Sequence, residues 1–232
     1  MAELTGTDAE HLVRVLRAEV GQVYEVSDNL AIYLAEITTA RKSIVSFKIL
    51  EQLAAPRQIA KVFLFPALFK FDRFEWMIEK ATELGVDVIQ PFVATRSERG
   101  LAEAAKKRVE RWQKIAVEAS QQSRRARLPE VAVPVRLKEM VETFTQQLTA
   151  KFLLDEAESA PPILSVIEQS FPERTPSQSV GLILGPEGGW TEEEIVQLAA
   201  GGWKSCSLGL TTLRAETAAI SGLAVLNAAW KR

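Results

Sequence analysis

The sequence is poor in the residues that carry most metal, redox and nucleophile chemistry. Its 232 residues include one cysteine, Cys206, and one histidine, His11. A single cysteine excludes an intramolecular disulfide framework. One residue of each kind gives no Cys/His zinc site within a chain, so no metal is expected. A Ser-His-Asp or Cys-His apparatus would have to use His11, in the helical stretch 10–16, whose apolar residues read as packing. Cys206 lies between Ser205 and Ser207 in an expected strand. It reads as a small buried residue rather than a reactive thiol, because only Lys204 beside it is basic. No apolar run reaches the roughly 18–20 residues of a membrane-spanning helix, so no membrane partner is expected. Met1-Ala2-Glu3-Leu4-Thr5 shows no basic region leading into an apolar stretch. A secretory signal is therefore not expected, and a cytoplasmic location is.

Phosphate-binding signatures are also missing. No glycine loop ends in Gly-Lys-Ser/Thr, and none has the spacing of a dinucleotide fingerprint. Nor is there a global excess of positive charge, since the net charge is −2. The charge is unevenly spread, however. Residues 96–138 hold 12 Lys/Arg against 5 Asp/Glu, and the remainder is acidic. This pattern fits a basic face on an acidic protein.

Hydrophobic residues make up 47% of the chain, enough for a sizeable core. Residues 1–56 read as a small β module. After the helix come β-type runs at 22–26, 31–37 and 43–47, with Ser27-Asp28-Asn29 as a turn signal. Ala54-Ala55-Pro56-Arg57 marks the expected boundary. Residues 57–232 then alternate strand and helix, which indicates an α/β domain with a mostly parallel sheet. Strands are expected at 61–65, 86–90, 151–155, 180–184 and 205–208. Helices are expected at 71–84, 109–119, 191–200 and 216–230. Residues 171–177 read as an exposed loop.

Three constellations carry chemistry. The first is Gly185-Pro186-Glu187-Gly188-Gly189-Trp190, between a strand and a helix. Ligands of open α/β sheets sit at the carboxyl ends of strands, where this loop falls. Thr191 and Glu194 form a capping-box pattern at the start of the helix. Glu192, Glu193 and Glu194 would repel a phosphate there, so an uncharged adenosine group fits better. Trp190 reads as packing before base stacking. The second is 208–218, again between strand and helix, with Arg214 and Glu216 charged amid apolar sequence. They read either as an ion pair at a helix start or as substrate-positioning groups. The third is Gln121-Gln122-Ser123-Arg124-Arg125-Ala126-Arg127, after a helix carrying Lys106, Lys107, Arg108, Arg111 and Lys114. Arg96 and Arg99 lie earlier. Guanidinium groups bind phosphates bidentately and stack on bases.

In this order the motifs resemble the RsmE family of small-subunit ribosomal RNA methyltransferases, in the SPOUT superfamily. The matching stretches are Phe74-Glu75-Trp76-Met77-Ile78-Glu79-Lys80-Ala81-Thr82-Glu83-Leu84-Gly85-Val86 and Arg111-Trp112-Gln113-Lys114-Ile115-Ala116 with Glu118-Ala119-Ser120-Gln121-Gln122-Ser123. They continue with Leu184 to Gly189, then Leu213-Arg214 before Glu216-Thr217-Ala218. The sequence departs from the family at Arg124 (usually Gly), at Leu210-Thr211 (usually Pro-Arg) and at Ala215 (usually Thr). It also lacks the family's basic-aromatic opening strand.

The resemblance implies a C-terminal SPOUT α/β domain with a deep trefoil knot and a small N-terminal PUA-like β-barrel with an RNA-binding role. It implies S-adenosylmethionine bent among three loops: the loop after Leu153 and Leu154; Leu184, Gly185, Pro186, Glu187, Gly188 and Gly189; and Leu208 and Gly209 through Leu213. It also implies a homodimer whose active sites use both subunits. The implied reaction is methylation of N3 of a uridine in 16S rRNA of the small ribosomal subunit. Arg214 would stabilise charge on the uracil oxygens, or Arg96 or Arg125 of the partner subunit would. Glu216 would be a base or an orienter of Arg214. Arg96, Arg99, Arg124, Arg125 and Arg127 would meet RNA. The alternative is a catalytically inactive RNA-binding or ribosome-assembly protein of the same fold.

Overall fold

Alternating apolar and polar residues build the first sheet of the computed structural model, which describes residues 1–54 and 60–230. Two compact units emerge, Met1–Arg57 and Gln58–Arg232. Residues 55–57 of the expected boundary lie outside the described residues. The first unit comprises β1 (Ala2–Thr5), α1 (Gly6–Arg14), β2 (Val23–Ser27), β3 (Ile32–Arg41) and β4 (Ile44–Leu53). Its antiparallel sheet runs β1-β4-β3-β2. Register shifts at Leu34/Ala35 and Ile37/Thr39 bend the long β3–β4 pair. Ala9, Ala35, Ile37, Val45 and Phe47 form its core. Two expectations are corrected here. A strand does precede the helix, although Ala2-Glu3-Leu4-Thr5 is neither basic nor aromatic. The helix stops at Arg14, and Val15 and Leu16 are exposed beyond it.

The second unit begins with β5 (Lys61–Pro66), α2 (Phe71–Glu83), β6 (Val88–Ile89), β7 (Phe92–Val93), α3 (Leu101–Lys106) and α4 (Val109–Gln122). It continues with β8 (Glu130–Val131), β9 (Val135–Arg136), α5 (Leu137–Phe144), β10 (Ala150–Leu154) and α6 (Ile163–Ser170). Last come β11 (Ser179–Leu184), α7 (Glu192–Ala200), β12 (Lys204–Cys206) and α8 (Ala215–Trp230). The six-stranded sheet runs β12-β10-β11-β5-β6-β8, and all its pairs are parallel. A separate parallel pair joins β7 to β9.

Continuous apolar runs such as Val62-Phe63-Leu64-Phe65 form strands buried on both faces. Side chains alternate between the faces, so Leu64, Phe152 and Leu182 enter one core and Phe65, Leu153 and Ile183 the other. The first core takes Phe74 and Met77 of α2, Trp112 of α4 and Leu223 of α8. The second takes Met140 of α5 and Leu198 of α7. Phe74 and Trp112 lie 4.7 Å apart between ring centroids and are fully buried. Truncating such an aromatic to alanine costs about 3–5 kcal/mol. Helix α8 approaches the sheet at Gly222, where a Cβ would stand 2.8 Å from a Leu182 methyl.

Candidate active site

The loop after β11 is held from three sides. Thr191 Oγ1 accepts from the Glu194 amide at 3.2 Å, and Glu194 Oε2 accepts from the Thr191 amide at 3.0 Å. The expected capping box is therefore present and starts α7. The other Glu194 oxygen, Oε1, accepts from the Thr95 amide at 2.8 Å, so one buried carboxylate also fixes the turn after β7. Arg96 Nη1 donates to the carbonyls of Gly188 and Trp190 at 3.1 Å each. Trp190 stacks on Phe92 at 5.9 Å, and its Nε1 donates to the Leu154 carbonyl at 3.1 Å. Packing is thus its role here. Its indole leaves room only for glycine at 185, where a Cβ would come within 2.8 Å of the ring. Gly189 has φ +72°, which favours glycine, and a Cβ there would meet Glu156 Oε1 at 2.9 Å.

A cavity of about 420 Å³ opens where the ends of β10, β11 and β12 converge. Of the expected cofactor residues, Leu154, Leu184, Gly185, Pro186, Glu187, Gly189, Leu208, Gly209 and Leu213 line it. Two do not. The strand alternation turns Leu153 into the second core, and Gly188 packs against Arg96 instead. Arg214 lines the cavity; Glu216 does not. The Glu216 side chain is only 8% exposed, and its Oε1 faces Arg73 Nε at 3.8 Å. Among the described residues, no ion pair joins Arg214 to Glu216, so an orienting role for Glu216 would not run through Arg214 directly.

Arg73, Asp155 and Glu156 also line the cavity; the sequence pointed to the loop after Leu154 without singling out the two acids, and it gave no sign of Arg73. The two acids follow Leu154 directly, so the strand end was their signal. Asp155 is held by Ser205 Oγ at 2.7 Å and the Ala157 amide at 3.0 Å. Arg73 has no local signal; its Nη1 donates to Glu187 Oε1, 2.7 Å away and 114 residues later. At the start of α7, hydrogen bonds from its own amide and the Thr191 hydroxyl hold the Glu193 carboxyl below its usual range. That charge disfavours a phosphate at this helix start.

The five expected RNA-facing arginines separate. Arg125 is a correction: its Nη1 donates to the carbonyls of Thr82 and Val86 at 2.8 and 2.6 Å. Only 13% of its side chain is exposed, with Asp87 at 3.9 Å. Burial pushes its pKa below the usual arginine value, and Asp87 opposes the shift. Arg125 ties α4 to the α2–β6 connection. Arg96 is engaged by the glycine loop. Arg99, Arg124 and Arg127 are exposed and carry no ion pair among the described residues. Arg108 and Arg111 grip Glu75 at 2.8 and 2.9 Å. His11 is exposed in the first unit. Cys206 is buried, and burial together with the Asp155 charge pushes its thiol up to about 12. Among the described residues no His/Cys/Asp/Glu group could hold a metal, and no helix is long and apolar enough to cross a membrane.

A match to the RNA methyltransferase domain spans residues 56–227. The ribosomal RNA small subunit methyltransferase E of Bacillus subtilis is 33% identical over 97% of this chain and 88% of its own. The chain belongs to this methyltransferase family. A relative of the same name from Synechocystis is 35% identical over 97% of this chain and 72% of its own. The methyltransferase E of Neisseria gonorrhoeae, solved bound to S-adenosylmethionine, superposes with TM-score 0.85 at 28% identity, covering 99% of this chain and 92% of that one. A methyltransferase from Legionella pneumophila, also solved with the cofactor, gives 0.83 at 32% identity over 98% and 91%.

Proposed function

We propose that this chain methylates N3 of a uridine in 16S rRNA of the small ribosomal subunit, with S-adenosylmethionine as donor. The carrying observation is the convergence of three parallel strand ends on one cavity. Its volume falls within the roughly 300–1,000 Å³ typical of small-molecule sites. Gly185, Gly189 and Gly209 line the cavity and offer bare backbone to a nucleoside. The loop backbone from Leu184 to Gly189 and from Leu208 to Leu213 would hold the adenosine. The cofactor supplies one electrophilic methyl group on a sulfonium.

The chain's residues must then orient and ease proton loss. N3 of uracil is an imide N–H on the pairing edge, so the base is read unpaired or flipped out. Arg214 at the cavity wall stabilises negative charge developing on the uracil oxygens. Alignment of N3 with the methyl carbon supplies much of the remaining acceleration. Arg99, Arg124 and Arg127 contact RNA phosphates. In the same reading residues 1–56 are a PUA-like RNA-binding barrel, and residues 57–232 are a SPOUT domain with a deep trefoil knot. The protein works as a cytoplasmic homodimer. Exposed α8 positions Thr217, Ala224 and Ala228 carry no charge, which supports a subunit contact there.

Three measurements test this. Calorimetric titration with S-adenosylmethionine should give saturable heat; none from folded protein would favour the inactive RNA-binding alternative. Nucleoside mass spectrometry of rRNA from a deletion strain should lack 3-methyluridine, and purified protein should restore it. Arg214→Ala should lower turnover at least about 100-fold, the scale of losing an oxyanion donor.

A further inference from the structure

We infer that Arg73 is a positioning residue of the methyl-transfer site, tying the loop after β11 to the start of α8. This deepens the cofactor reading above and rests on it. Arg73 sits in the first turn of α2, a different element from every loop that carries the cavity. Its Nη1 donates to Glu187 Oε1 at 2.7 Å, inside the glycine loop. Its Nε lies 3.8 Å from Glu216 Oε1, two residues after Arg214. The Arg73 side chain is 30% exposed and reaches the cavity wall; Glu216 lies behind that wall. Glu216 Oε2 is buried without a hydrogen-bond partner among the described residues. A charged carboxylate in such a place is stabilised by a neighbouring cation, and Arg73 at 3.8 Å is the one the structure puts there. One planar guanidinium with donors on two edges can serve two carboxylates at once, whereas an ammonium is a single point charge. The two loops that flank the cavity thus share one anchor on α2, and the segment 213–216 carries Arg214 with it.

Hydrogen exchange on the ligand-free chain tests the tie without any cofactor. Arg73→Met should speed exchange at Gly188-Gly189 and at residues 213–216 together, while the sheet strands keep their protection. Unchanged exchange at either loop would overturn the proposal. Cofactor affinity and turnover give a second readout. Arg73→Met should weaken S-adenosylmethionine binding about 5–20-fold, and in the ligand-free chain Glu187→Gln added to it should cost Gly188-Gly189 no further protection from exchange. Arg73→Lys should recover most of the affinity but not kcat, because one ammonium replaces the contact to Glu187 without serving Glu216. Additive losses in the double variant, or equal recovery of both parameters by lysine, would refute the shared anchor. If wild-type protein bound no S-adenosylmethionine while the exchange result held, the cofactor reading would fail and the tie would stand.

Discussion

Arg125 and Arg127 stand two residues apart and do opposite work. Arg125 spends its donors on the Thr82 and Val86 carbonyls, and its guanidinium is largely buried beside Asp87. Arg127 is exposed. Removing Arg125 takes its donors from the Thr82 and Val86 carbonyls and a cation from beside Asp87, so Arg125→Ala should destabilise the fold by about 1–3 kcal/mol in chemical denaturation. Arg127→Ala should stay within about 0.5 kcal/mol of wild type. A near-neutral Arg125→Ala would return that residue to the RNA-facing set. Sequence alone cannot separate the pair, because both belong to one basic run and burial depends on what packs above it. Cys206 is a simpler case. Its thiol sits near 12 in the fold against 9.0 for an ordinary thiol. Since the folded value is raised, its contribution to stability is complete below pH 9 and fades as pH climbs from 9 to 12. Alkylation of native protein at pH 8 should leave it unmodified, and rapid labelling would contradict its burial.

At the scale of elements, local signals were readable and long-range pairings were not. Strands β10 and β11 announce themselves as short apolar runs, and the Thr191–Glu194 spacing announces the start of α7. Strand β6 falls within the expected 86–90, but β7, β8 and β9 have two residues each and leave no periodicity to detect. The Arg73–Glu187 contact joins residues with no shared motif, so only the fold reveals it. Helix α8 could be placed from sequence, but its closeness to β11 could not. That closeness has a consequence for Gly222. Valine there would drive two methyls into Leu182, and Gly222→Val should cost about 1–3 kcal/mol. A thermal midpoint equal to wild type would show that α8 can lift from the sheet at no cost.

For the whole molecule, charge is divided by region rather than by total. The net charge of −2 conceals a basic stretch at 96–138, and within it several cations are already neutralised. Glu75 alone occupies Arg108 and Arg111. Among the arginines left over, Arg99, Arg124 and Arg127 should therefore set much of the salt dependence of RNA binding. Each phosphate contact contributes about 0.7–0.9 to the slope of log affinity against log salt. A triple alanine variant should flatten that slope by about 2–3, measured by filter binding from 50 to 200 mM salt. An unaltered slope would place the RNA elsewhere on the protein.

The strand order has one more consequence, and it concerns time. Strand β5 lies next to β11, so the sheet's centre joins residues more than a hundred positions apart. The three loops around the cavity all come from the last third of the chain. During synthesis the earlier strands emerge with their central neighbour still missing. Such long-range parallel pairing slows folding and leaves apolar edges open while it waits. The cavity is therefore among the last features of this unit to form, and a nascent chain cannot complete it until the segment 207–214 has been made.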